Sequence, residues 1–213
     1  MCKGLIGKKI GMTGLYTPKG AYIPVSVIQA GPCVVVQVKS EAIDGYKALQ
    51  LGFEEKKESR VNKPLQGHMK KGAGKCFALL NEFSIEGSQE YKMGQVITVD
   101  NIFKIGERVD ISGTSKGRGF AGVVKRYGFS GGRKTHGGMC HRLPGSIGSS
   151  AWPSRVVKGK RMPGHYGNHR ITVRNLEVVD IKPVENLILV KGSIPGARRG
   201  FLEIRKPKVV VTK

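Results

Sequence analysis

From Ile111 to Leu176 the chain runs for 66 residues without one Asp or Glu, and this stretch limits what the protein can fold into more than any other. Thirteen of its residues are Lys or Arg, fourteen are Gly, and it holds four of the five His. Ordering backbone costs about 1–2 kcal/mol per residue, and a glycine-rich, uniformly positive segment has too little apolar surface to offset that alone. The expected partner is a dense array of negative charge, which points to nucleic acid phosphate. The whole chain carries 37 Lys and Arg against 15 Asp and Glu, a net charge of +22, and +13 of this falls in the stretch, under a third of the length. With 39% apolar residues left to build a core, the expectation is a compact body with an extended arm.

Cys2, Cys33, Cys76 and Cys140 stand apart with no C-x-x-C pair, so neither a zinc ribbon nor a disulfide framework is signalled, and reduced thiols are expected. Met1 is followed by Cys-Lys-Gly rather than by an apolar signal segment, and no window reaches the roughly 18 apolar residues of a membrane span. A cytoplasmic protein without a membrane partner is expected.

Outside the arm the pattern is mainly β. Residues 4–10 (GLIGKKI) read as a first strand; Tyr22–Ile28 and Cys33–Val38, separated by Gly31-Pro32, read as two strands of a hairpin. Asp44-Gly45 marks a turn before Tyr46–Phe53, and Pro64 opens a short helix expected to stop at Gly72. Phe77–Ile85, Val96–Val99, Glu107–Ile111, Ile171–Ile181, Leu187–Val190 and Phe201–Arg205 complete the strands, followed by a basic tail at Lys206, Lys208 and Lys213. Many short strands punctuated by Gly and Pro favour a barrel over a parallel sheet. The expected body spans residues 1–45 and 96–213, interrupted by a loop from about 127 to 170, with residues 46–95 as a small α+β insert.

Within the arm, Gly117–Gly122 (GRGFAG) matches the glycine pattern of nucleotide-binding loops, but the carboxylate that should follow about 20 residues later is absent, because Arg142 stands near that place. Glycines that let backbone lie close to RNA explain the same letters. Cys140, His141, His165 and His169 allow a metal site to be written down, yet Gly164 and Gly167 oppose the helix that would align the last two. Paired carboxylates and a carboxylate-held base are missing, so no catalytic residue, cofactor, metal or small-molecule substrate is expected. Two other readings stay open at this level: a metal-assisted enzyme acting on nucleic acid through the Cys and His set, and a nonspecific DNA compactor.

Basic groups interleaved with aromatic rings suit folded RNA, with cations for phosphates and rings for unstacked bases. The candidate RNA-binding residues are Lys8 and Lys9 in the first strand, then Lys116, Arg118, Lys125 and Arg126 where the arm begins. Arg133, Lys134, His136, His141 and Arg142 follow, and Arg155, Lys158, Lys160, Arg161, His165, His169 and Arg170 complete the set. Phe120, Tyr127, Phe129, Trp152 and Tyr166 are the interleaved rings; for Phe120 and Tyr127, packing in a small hub with Val123 and Val124 is an equal alternative to stacking on bases.

GLIGKKIGMT at 4–13, GTSKGRGFAGVVKR at 113–126, HRLPGSIG at 141–148, KGKRMPGHYGN at 158–168 and LILVKGSIPG at 187–196 together resemble the L3 family of large-subunit ribosomal proteins, in its bacterial form. The stretches run nearly end to end and in family order. The resemblance implies a translation-factor-like β-barrel carrying the small insert and a long central loop that threads ribosomal RNA toward the peptidyl transferase centre. It implies large-subunit ribosomal RNA and neighbouring ribosomal proteins as partners, and a role in early subunit assembly. By the same likeness Ser146, Ser149, Ser150, Ala151, Trp152, Pro153 and Ser154 lie at the loop tip. Many bacterial members carry a glutamine, methylated in some, where Ala151 stands here, so that modification is not expected; Trp152 is similar to the tryptophan at the tip of eukaryotic members.

Overall fold

The computed structural model describes residues 2–18, 20–86 and 91–207; the expected basic residues Lys208 and Lys213 lie outside them. The chain divides into two compact units, one formed by residues 1–114 and 170–213, the other by Ser115–His169.

The first unit is mainly β, as its alternation and turn residues predict. In chain order its strands are β1 (Gly4–Tyr16), β2 (Tyr22–Ala30), β3 (Cys33–Lys39), β4 (Ala48–Glu55), β5 (Phe77–Ser84), β6 (Val96–Ile97) and β7 (Arg108–Thr114). Two short strands of the second unit, β8 (Phe120–Ala121) and β9 (Gly164–His165), intervene before β10 (Arg170–Lys182), β11 (Leu187–Lys191) and β12 (Phe201–Arg205). Six strands close into a barrel in the order β1-β12-β7-β10-β11-β2, every neighbour antiparallel. A separate four-stranded sheet runs β5-β4-β3-β6.

The expected hairpin of Tyr22–Ile28 with Cys33–Val38 does not form. Both edges of β2 are taken, by β1 on one side and β11 on the other, so β3 has no edge to pair with and enters the second sheet beside β4 and β6. Gly31, with φ +86, and Pro32 therefore mark a change of sheet. One core serves both sheets: Leu5, Ile28, Ile111, Ile188 and Ile204 from the barrel join Val35, Leu49, Leu51 and Phe83 from the other sheet, all fully buried or nearly so. Each such side chain contributes on the order of 1.5–3 kcal/mol by leaving water.

The helical turn α1 (Glu41–Asp44) ends at Gly45 as the Asp-Gly signal predicts. The longer helix α2 (Lys63–Ala73) begins where Pro64 predicts, but it passes through Gly72 and stops at Gly74. Gly72 is needed for packing: a Cβ there would sit 1.8 Å from the Val36 carbonyl oxygen. The helix lies that close to β3, covering Val36, Cys76 and Phe77 with Met69.

Candidate nucleic-acid interface

The barrel ladder β7/β10 brings Thr114 and Arg170 opposite each other, so the 55 residues of the second unit start and end at paired positions. Within that unit the two chain segments stay paired. Ser115 N–H donates to the His169 carbonyl at 2.9 Å, Arg118 N–H to Tyr166 and Tyr166 N–H to Gly119, both at 2.9 Å. β8 then pairs with β9, Phe120 opposite His165. Gly167 (φ +72) permits this approach, since a Cβ there would fall 2.2 Å from the Lys116 carbonyl oxygen. Residues 115–126, expected to root in the barrel, thus group with the unit they introduce, the backbone of residues 115–121 being paired with residues 164–169.

After β8 the short helix α3 (Val123–Tyr127) closes on Gly128, which takes a left-handed conformation at φ +74. Val123 and Ala121 are the buried apolar side chains of the whole unit. Arg126, half-buried, turns back to donate from Nη1 to the Met162 carbonyl at 2.6 Å. Its guanidinium lies 5.0 Å from the Tyr127 ring centre, and Arg161 lies 5.7 Å from the same ring; Arg118 sits 5.2 Å from the ring of Tyr166. These cation–π contacts are worth about 0.5–1 kcal/mol each at exposed sites. Tyr127 also tilts against Phe129, centroids 6.4 Å apart. Tyr127, itself 37% exposed, has Arg126, Arg161 and Phe129 about its ring, whereas Phe120 is 80% exposed.

Further along, Gly132 N–H reaches the carbonyls of Cys140 and His141 at 3.2 and 3.1 Å, and His141 Nδ1 lies 3.0 Å from the Arg133 carbonyl. Between Arg142 and Arg161 the hydrogen bonds are short-range: Ser146 Oγ to Gly148 O at 2.8 Å, Ser154 Oγ to Ala151 O, and Lys160 N–H to Val157 O at 3.1 Å. Trp152 is 85% exposed. Ser146, Ser149, Ser150, Ala151 and Ser154 are exposed around it, with Pro153 half-buried.

The second unit brings together most of the predicted basic residues. Lys116, Arg118, Lys125, Arg133, Lys134, Arg142, Arg155, Lys158, Lys160 and Arg161 are exposed, as are His136, His141, His165 and His169. Among these residues there is no carboxylate to pair with. Three candidates sit in the first unit. Lys8 pairs with Glu54 at 2.6 Å and Arg170 with Glu203. Lys9 is buried and donates to the carbonyls of Ile194 and Gly196 at 2.8 and 3.2 Å, so its ammonium faces inward and closes a turn rather than meeting a phosphate. Sequence reasoning missed the Arg–Tyr clamps; the adjacency of Arg126 and Tyr127 was the one available signal. Among the described residues no three His, Cys, Asp or Glu side chains gather closely enough to hold a metal.

A β body with a core of its own carries a second, basic unit without an Asp or Glu, an arrangement that suits a structural, polyanion-facing protein. Residues 78–186 match the family model described as Ribosomal protein L3. A relative from Desulforapulum autotrophicum, named large ribosomal subunit protein uL3, is 56% identical over 206 residues, covering 97% of this chain and 99% of its own. Proteins of the same name from Desulfosudis oleivorans and Thermotoga petrophila are 58% and 55% identical, each over 97% of this chain and 99% and 98% of their own. The chain belongs to the ribosomal protein L3 family.

Proposed function

We propose that this protein is a structural constituent of the large ribosomal subunit in the cytoplasm, that it binds large-subunit ribosomal RNA directly, and that it joins the subunit early in assembly. The observation that carries the reading is the second unit's surface. Eleven Lys and Arg stand on 55 residues with no Asp or Glu, and all but Arg126 are exposed. In RNA a carboxylate there would be buried among phosphates without a partner, at a cost of several kcal/mol by order of magnitude. Glycines and exposed carbonyls let the backbone lie against packed helices, and the rings of His and Trp152 supply flat faces for unstacked bases.

On this reading the translation-factor-like barrel and the small α+β insert form a body that meets neighbouring ribosomal proteins. Residues of about 127–170 penetrate the RNA, and Ser146–Ser154 lie nearest the peptidyl transferase centre. The barrel strands and the buried core support the body; the family relationship supports the rest.

Binding of the full chain to protein-free large-subunit ribosomal RNA, measured against salt, tests the reading. If about half of these charges meet phosphates, the log–log slope is on the order of −4 to −5. A flat dependence, or equal affinity for duplex DNA, overturns it.

A further inference from the structure

The second unit is not the only region without carboxylates. From residue 1 to residue 40 the sequence has no Asp or Glu either, and within it β1 and β2 pair past the point where the barrel releases them. β12 pairs with β1 only over Gly4–Lys8, and β11 with β2 over Val25–Gln29. From Met12 to Tyr16 the chain forms a two-stranded ribbon with Tyr22–Ser26, closed by Thr17, whose N–H and hydroxyl both meet the Ala21 carbonyl at 2.8 and 3.1 Å.

Register puts Met12, Gly14 and Tyr16 on one face with Tyr22 and Pro24. Where this face lies in the barrel, at Ser26, it is sealed; beyond, it is open. Tyr16 is 76% exposed, Tyr22 61% and Met12 48%. The two rings lie 5.3 Å apart, tilted at 60°. Tyr22 folds flat onto the ribbon: a Cβ on Gly14 would be 2.0 Å from its hydroxyl oxygen. Nothing but glycine at 14 permits that ring position. On the ribbon's other face the Arg198 guanidinium lies against Gly11, its Nε 3.7 Å from where a Cβ would stand.

We propose that this ribbon is a second RNA contact, in which Tyr16 and Tyr22 stack on unpaired nucleotides. The inference rests on the ribosomal RNA-binding reading above. Two exposed rings on a paired backbone with no acidic side chain on either strand form the combination that sequence-tolerant recognition of unstacked bases uses. A protein strand added to the outer edge of β1 would be the other occupant. The ribbon's glycines at 11 and 14 make that edge a poor template for strand pairing, and the exposed surface is aromatic on the face, not along the edge.

The test uses the full chain with protein-free large-subunit ribosomal RNA, and intact subunits for crosslinking. Tyr16→Ala is expected to weaken binding by about fivefold to a hundredfold while leaving the salt slope unchanged, since a stacked base is lost and no charge is. Gly14→Ala, which displaces the Tyr22 ring but retains both tyrosines, is expected to weaken binding in the same direction. Ultraviolet crosslinking in the subunit is expected to join Tyr16 or Tyr22 to ribosomal RNA. If wild type binds with a steep salt slope and both variants bind as tightly as it does, the ribbon proposal is overturned and the RNA-binding reading stands. Crosslinks that run from these tyrosines to another protein overturn it equally. Failure of the wild-type chain to bind the RNA at all overturns the broader reading instead.

Discussion

The barrel body and Ser115–His169 satisfy the same backbone groups by opposite means. In the body, the barrel strands pair along both edges and a core of Ile, Leu, Val and Phe side chains shared with the second sheet excludes water from the ladders. Several of its lysines and arginines have carboxylate partners, as Lys8 has Glu54 and Lys206 has Glu107. The second unit has two-residue strands, two buried apolar side chains, and cations whose intramolecular partners are rings and carbonyls. The body sets 15 Asp and Glu against 26 Lys and Arg, whereas the inserted unit has 11 Lys and Arg and no Asp or Glu at all. The first unit thus has a core to carry its own stability, while the second, on the function proposed above, is completed by RNA.

The largest effect expected from this contrast is on affinity. Replacing Arg155, Lys158, Lys160 and Arg161 together by Gln should flatten the salt slope by about 3 and cost about a thousandfold in RNA affinity near 0.1 M salt. The unfolding midpoint of the body should not move. An unchanged slope would mean that these exposed charges do not meet phosphates, and the comparison would break at its electrostatic end.

Next in size is a pair of aromatic truncations. Phe83 is 1% exposed, beneath the Arg205 guanidinium at 5.1 Å, and Phe83→Ala should cost about 3–5 kcal/mol of unfolding free energy. Trp152→Ala should change it by less than about 0.5 kcal/mol while impairing subunit assembly or translation. Chemical denaturation of both variants measures the difference, and a large loss for Trp152→Ala would place that ring in a core.

A pair of glycines gives a smaller, sharper contrast. Gly72→Ala must lift α2 from the Val36 carbonyl, an overpacking cost of about 1–3 kcal/mol that should appear as a lower global midpoint. Gly167→Ala meets a similar clash with Lys116 O at a positive φ, at about 1–3 kcal/mol of local strain. Its expected readout is faster amide exchange at Arg118 and Tyr166, whose N–H groups bond across the stem, with the global midpoint intact. A drop in that midpoint would show that the two units unfold as one.

Much of this was legible in the residues. Apolar runs such as CVVVQV and LILVK located strands, and Pro64 located a helix start, because those signals are local. The partner of β3 was not legible, since it depends on β11 having already taken the edge of β2, a contact between residues more than 150 positions apart. Gly72 reads as a helix stop by propensity, and only the packing of α2 on β3 makes it an interior residue. The same holds for the site. Missing carboxylates announced a basic surface, but neighbouring Lys8 and Lys9 look alike in sequence, and only the closure of the barrel turns one outward to Glu54 and the other in to Ile194 and Gly196.

The smallest expected effect concerns two thiols, one in each unit. Cys33 is wholly buried, its Sγ 3.5 Å from the Ile6 carbonyl, and burial pushes its pKa up from 9.0 to about 12. The unfolded chain releases this proton near its ordinary value while the folded chain keeps it, so rising pH draws the equilibrium toward the unfolded state. Below pH 9 the group contributes no pH dependence; from there to about 12 stability falls, by roughly 1.4 kcal/mol per pH unit at most. Cys33→Ala should remove that slope, and the difference between the two denaturation series at pH 8 and pH 10 isolates it from the lysines, which titrate in both. Cys140, exposed beside Met139, should react with a thiol reagent in the native protein while Cys33 reacts only on unfolding. Equal labelling rates for the two would mean that the body opens as readily as the inserted unit, and the division between a self-sufficient body and a partner-completed unit would fail.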